Sequence, residues 1–308
     1  MSSEPRTVGL RPWLPWPLCD WPWWTEPVRA ERLAAFRIGV ALMLLVDIFT
    51  LYLPHANLFF GRDSLGSPEV FVPSATSLRW SVLRGVESPA MVTAIMATWA
   101  VSAVLLLLGV LPRLSATVAW MFSVSIIGLN GYLHNSGDNV RTIELFFLML
   151  SPCAAVWSLG KRQTDRTEGE STAVYIQPWP LRLLFVQLIF IYFFNGVYKL
   201  LGPHWREGDV MHYVMANIAW TRVSYAQIPL PEPAIHLLSW TTMIWELGFP
   251  LLVMMPLTRK LTLWMGIGFH IGTGLFLVLC AFPFYMICMY LPLVPWERYV
   301  DWRHFRKE

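Results

Sequence analysis

Residues 260–295 read KLTLWMGIGFHIGTGLFLVLCAFPFYMICMYLPLVP, 36 positions whose only acidic or basic side chains are Lys260, at the edge, and His270. As one helix the run would be about 54 Å long at 1.5 Å per residue. A bilayer's hydrocarbon core is only about 30 Å thick. The reading that fits is two membrane crossings, with a break near Cys280–Pro283. The rest of the chain agrees with this solvent. Of 308 residues 56% are hydrophobic and 14% charged, against roughly 25% charged in soluble domains. The mean hydropathy is +0.49.

Further apolar runs lie at Leu33–Leu53, Pro89–Leu111, Leu114–Leu133, Val140–Leu159, Pro180–Leu201 and Ala234–Met255. With the two halves of 260–295 they predict an all-α, polytopic bundle of about eight spans. Both termini are expected on the cytoplasmic side. That arrangement places 16 Lys and Arg inside and 7 outside, as the positive-inside rule requires. The organisation that follows is an interfacial arm (1–31), a membrane domain (32–296) and a basic cytoplasmic tail (297–308). The arm contains PWLPWPLCDWPWW, whose prolines oppose a regular helix. Its six Pro precede the first apolar run, so no cleavable signal is expected. The 17 Trp suit the membrane–water boundary.

Several chemistries find no support. The net charge of +3 is spread in small groups, so nucleic-acid binding is not expected. Cys19, Cys153, Cys280 and Cys288 lack CxxC spacing, and no HExxH, Walker loop or GxSxG elbow occurs. No metal is expected.

Ionisable side chains inside spans are costly, and each is a functional candidate. They are Asp47, Glu144, Lys199, Glu246 and His270, with His134 and Asp138 at the entry to the fourth span. With the N-terminus inside, most fall in the outer half, which would suit a cavity opening outward. Tyr192, Asn195 and Lys199, at i, i+3 and i+7, are expected on one helix face. Burial disfavours an ammonium ion, and a neutral amine can act as a base. Lys199 also lies near its span end, where a lysine can reach the outer headgroups. Arg141 and Glu144, at i and i+3, fit a local salt bridge equally well. Glu246 has no partner on its own helix, so Lys199 or His270 across the bundle is expected to meet it. Gly266, His270 and Gly274 share a face that would admit a close neighbour.

Three blocks in order carry a resemblance. They are YFFNGVYKLLGPHWREGDVMHY, with Gly196, Val197, Lys199, Trp205 and Gly208; HNSGDNVRTIELFFLMLSP followed by WSL; and WELGFPLLVMM with the His270 span. Together they resemble the membrane domain of vitamin K-dependent gamma-carboxylases and their bacterial HTTM-domain relatives, over about residues 33–295. The resemblance implies a quinol (vitamin K-like) co-substrate. Lys199 would be the base that deprotonates it before oxygen reacts, with Glu246 and His270 as its catalytic companions. His134, Asn135, Asp138, Arg141, Glu144, Asn195 and Trp205 would hold the ligand. His134 is displaced from the family's Asn-Asn-His segment. The carboxylases' large lumenal, peptide-binding domain has no counterpart after Pro295 in these residues, so carboxylation of a protein by this chain alone is not expected.

Three functions are consistent with these features. The first is a quinol-dependent oxidoreductase. The second is a non-catalytic membrane module that assists maturation of a partner protein. The third is a small-solute transporter, which the absence of an internal repeat disfavours. The setting expected is a lipid bilayer, most simply a bacterial plasma membrane, with a lipophilic quinone-like ligand or a protein partner.

Overall fold

The computed structural model of the protein describes residues 21–61, 64, 81–129, 134–159 and 173–299. Cys19, most of the Trp- and Pro-rich arm, the polar loop 160–172 and the tail from residue 300 lie outside them. The described residues are predominantly helical. In chain order the helices are α1 Trp21–Thr25, α2 Glu31–Asp47, α3 Ala56–Phe59, α4 Pro89–Leu108, α5 Pro112–Leu129 and α6 Ser136–Leu150. There follow α7 Trp179–Leu201, α8 Pro203–Glu207, α9 Val210–Ala216, α10 Glu232–Met254, α11 Pro256–Phe276 and α12 Phe282–Cys288. A two-residue antiparallel ladder pairs Val28 with Ile176 and Arg29 with Tyr175. The chain divides into two compact units, Met1–Glu26 with Phe185–Phe269, and Pro27–Leu184 with His270–Glu308.

Among the described residues four helical segments are long and apolar enough to cross a bilayer: Glu31–Tyr52, Pro89–Leu108, Trp179–Leu201 and Glu232–Met254. At 20 to 23 residues each reaches about 30 Å or more. Their outer faces are apolar too. Val101, Val104 and Leu108 on α4, Phe190, Phe193 and Phe194 on α7, and Leu237, Ile244 and Leu251 on α10 are all exposed. A helix apolar on every side belongs in lipid or a core, and these side chains have no core to enter.

Inside the larger unit the contacts are made by small residues. Ala34 and Ala41 of α2, Ala100, Ser102 and Ala103 of α4, and Ala116, Ala119 and Ser123 of α5 are buried. Lipid gives apolar side chains no drive to leave it, so close backbone approach supplies the packing. Accordingly α2 packs on α4, α6 and α12, and α5 packs on both α4 and α6.

Three local outcomes refine the expectations. The fourth apolar run was expected to be helical over Val140–Leu159, but α6 starts at Ser136 and stops at Leu150. Its start is fixed by a capping box: the Asn135 side chain accepts from Gly137 N at 2.8 Å, and Asp138 Oδ2 accepts from Asn135 N at 2.9 Å. Pro152 accounts for its end. Asn135→Ala is expected to cost about 0.5–2 kcal/mol, readable as a lower unfolding temperature in detergent. The break in 260–295 falls where expected. It lies at residues 277–281, with Cys280 at φ 49°, and Pro283 opens α12. After Leu201 the chain forms two short helices, α8 and α9, separated by Gly208 at φ 83°. The arm's prolines likewise permit only one helical turn, α1, within its described part.

Candidate functional site

Among the described residues each unit holds a cluster in which buried charges meet across helices. In the smaller unit the cluster begins with a glycine. A Cβ on Gly196 would lie 2.6 Å from Leu247 N and 3.0 Å from Glu246 C. Only glycine lets α7 and α10 approach this closely. Tyr192, one turn earlier, is buried against Trp245 and Phe249, with ring centroids 4.8 and 4.2 Å away. One turn later, the same contact delivers Lys199 Nζ to Glu246 Oε2 at 2.5 Å. The two side chains are 16% and 5% exposed, so the pair is shielded but still reachable from outside.

The chain then folds over the lysine. Trp205 of α8 places its ring 5.0 Å from Lys199 Nζ, within range of a cation–π contact. Gly208 ends α8, and a Cβ there would meet Trp240 Cε2 at 2.7 Å and His236 Nδ1 at 2.8 Å. Trp240 Nε1 donates to Arg206 O at 3.0 Å. Gly196, Lys199, Trp205 and Gly208 are thus one device. The glycines allow two close contacts, and between them the lysine is held by a carboxylate and an indole. Gly196→Ala is expected to destabilise the protein by about 1–3 kcal/mol through overpacking and to widen the Lys199–Glu246 contact. A thermal melt in detergent would show the first effect.

Asn195 does not share this face. It is exposed, and its amide donates to Ile191 O at 2.7 Å. The row packed against α10 is Tyr192, Gly196 and Lys199, at i, i+4 and i+7, and Asn195 lies about 100° away from Gly196 around the helix.

In the larger unit the centre is Arg141, fully buried on α6. Nη1 donates to Asp47 Oδ2 at 2.8 Å, and Nη2 lies 2.9 Å from Asp138 Oδ1. Tyr52 Oη donates to Asp138 Oδ1 at 2.7 Å, and Tyr285 Oη donates to Asp47 Oδ2 at 3.1 Å. The guanidinium carbon lies 5.2 Å from the Trp99 ring and 5.3 Å from that of Tyr52. A π-helical turn, Ile48–Tyr52, makes this possible. In an α-helix, residues five apart point about 140° away from each other. The wider turn, closed by Leu53 N to Ile48 O at 2.8 Å, brings Asp47 and Tyr52 towards one face.

Glu144 corrects the local-pair reading. Arg141 turns to Asp47 and Asp138, and Glu144, fully buried, has no hydrogen-bond partner for either oxygen among the described residues. His134 is exposed and bonds Asn139 Oδ1 at 3.1 Å, while Asn135 serves as the α6 cap. His270 is 1% exposed, with its ring 5.7 Å from Phe282 in an edge-on contact. A Cβ on Gly274, one turn on, would make only ordinary contact with the side chains of Pro283 and Phe284, at 3.5 Å, so no close backbone approach depends on that glycine. Of the two partners considered for Glu246, Lys199 is the one that meets it.

The aromatic members Tyr52, Trp99 and Tyr285 were not legible as site residues. Aromatics are common in spans and at interfaces, and only the fold brings these three onto Arg141. A group at α8 and α9, the exposed His204 and Glu207 with the half-buried Asp209, has ligand atoms within 4.8 Å of one another. It is linked by its own contact, His204 Nδ1 to Asp209 Oδ1 at 3.2 Å.

Compared with known protein families, residues 25–297 match the HTTM domain. No curated protein and no solved structure matches the chain.

Proposed function

Starting from the fact that the chain belongs to the HTTM domain family, we propose that it is a quinol-oxidising membrane protein in which the Lys199–Glu246 pair accepts the quinol proton. The observation that carries this reading is the 2.5 Å contact between Lys199 Nζ and Glu246 Oε2, roofed by Trp205. An isolated lysine at this depth would remain an ammonium ion reaching for headgroups. A lysine beside a carboxylate can pass its proton to that carboxylate and present a neutral amine.

The pair as drawn holds one acidic proton between two basic atoms, so it has room for a second. When a quinol hydroxyl approaches Nζ, the amine takes its proton and Glu246 keeps the other. Trp205 lies against the ammonium that results and stabilises it by cation–π attraction. A reduced quinone supplies two electrons to molecular oxygen once deprotonated. The resemblance to the membrane domain of vitamin K-dependent gamma-carboxylases supports the choice of quinol.

In this reading residues 32–296 form the membrane domain, between an interfacial arm (1–31) and a basic tail (297–308). Eight crossings place both termini on the cytoplasmic face of a bacterial plasma membrane. The excess of Lys and Arg on that side supports this orientation. Lys199 then stands at the outer end of α7.

The test is Lys199→Arg in the full chain reconstituted in nanodiscs. Arginine keeps the charge and can pair with Glu246, but it does not give up its proton. Quinol-dependent turnover should fall by about 100-fold or more, with the protein still folded. Undiminished turnover in the arginine variant would remove Lys199 as the base.

A further inference from the structure

The larger unit has a cavity of about 380 Å³ lined by Met43, Val46, Asp47, Thr50, Leu51, Cys280, Ala281 and Phe284. Its walls are almost entirely apolar. Thr50 spends its hydroxyl on Val46 O at 2.7 Å. Beside the weakly polar Cys280 thiol stands the Asp47 carboxylate, and its bonds are one-sided. Both Arg141 Nη1 and Tyr285 Oη donate to Oδ2. Among the described residues no bond reaches Oδ1, and Oδ1 is not among the enclosed atoms that lack a partner. It is therefore the oxygen presented to the cavity. We propose that this cavity binds an apolar molecule carrying a hydroxyl group, which donates its hydrogen bond to Asp47 Oδ1.

Electrostatics selects a donor. Arg141 faces two carboxylates, Asp47 at 2.8 Å and Asp138 at 2.9 Å, so the cluster carries more negative than positive charge. A ligand acceptor placed against Oδ1 would be repelled. A ligand cation would be attracted, but it would leave water for walls of Met43, Val46, Leu51 and Phe284, which is expensive. A neutral hydroxyl makes a charge-assisted hydrogen bond without that cost. The volume lies within the range of small-molecule sites.

The backbone around the cavity is also irregular on both sides. Asp47 immediately precedes the π-helical turn, and Thr50 and Leu51 lie within it. Cys280, opposite, holds a positive φ of 49° without being glycine. Such departures concentrate where ligands are held.

This inference goes beyond the Lys199 reading and does not depend on it, because it concerns binding and not turnover. The test is equilibrium dialysis of the full chain in nanodiscs, with empty nanodiscs subtracted, using 2-naphthol and its methyl ether. The two probes share an apolar body, and only the first has a hydroxyl. Saturable binding should favour the naphthol by about tenfold or more. Asp47→Asn should erase that preference. Val46→Trp, which sets an indole on the cavity wall and changes no residue of the Arg141 cluster, should abolish saturable binding of both, and it decides the matter if Asp47→Asn fails to fold. Absence of saturable naphthol binding, equal affinity for the two probes, or a preference that survives Val46→Trp would overturn the proposal.

Discussion

Arg141→Met is expected to destabilise the protein by about 3–5 kcal/mol, the cost of leaving a buried charge without its partner. The expectation follows from what the arginine holds. Asp47 and Asp138 both depend on its fork, at 2.8 and 2.9 Å, and both are buried, at 6% and 2% exposure. Methionine matches much of the volume and none of the charge. Two carboxylates would then face each other through Tyr52 and Tyr285, and α2, α6 and α12 would share the strain. Asp138 also caps α6 through Asn135 N, so its displacement would fray that helix. Lysine should recover little, since one ammonium cannot bond two carboxylates in the fork geometry. The double variant Arg141→Met with Asp47→Asn should be less damaged than the sum of the single changes, because it removes a charge together with its partner. Thermal unfolding of the wild type, Arg141→Met, Arg141→Lys, Asp47→Asn and the double variant in detergent measures all of this. A stable, unaltered Arg141→Met protein would show that the cluster contributes nothing to the fold.

The second large effect concerns Glu246. Glu246→Gln keeps the shape of the contact with Lys199, and the amide oxygen can still accept a hydrogen bond from Nζ. It removes the atom able to receive the lysine's proton. Quinol-dependent turnover is therefore expected to fall by about 100-fold or more, with the unfolding temperature changed much less than by Arg141→Met. Glu246→Ala should lose turnover equally and stability as well, since the ammonium would be left with Trp205 alone. A glutamine variant that turns over at the full rate would mean that Lys199 sheds its proton without Glu246.

The two clusters differ in how far the sequence revealed them. The Lys199–Glu246 pair was anticipated because Glu246 has no candidate partner on its own helix, and a buried carboxylate must find one elsewhere. Arg141 misled for the converse reason. Glu144 stands three residues away as a ready partner by spacing, but Asp138 stands three residues away in the other direction. The π-helical turn then brings in Asp47 as well. No periodicity argument based on 3.6 residues per turn can foresee a turn of a different width. Asn195 failed in a similar way: spacing of three and seven describes a broad stripe, and the close packing at Gly196 narrowed it. The membrane setting was legible throughout, since it depends on composition and run length. The fourth apolar run and the halves of 260–295 were harder, because apolar content continues past the points where Pro152 and the Cys280 turn interrupt the helix.

The most direct test of the account is oxygen uptake with product analysis on the purified full chain in nanodiscs, supplied with reduced vitamin K or menaquinol, with Lys199→Ala alongside. The account predicts oxygen consumption coupled to quinol oxidation in the wild-type protein and its loss in a folded Lys199→Ala variant. A folded wild-type protein that consumes no oxygen with either quinol, or a Lys199→Ala variant that consumes it at the same rate, would contradict it.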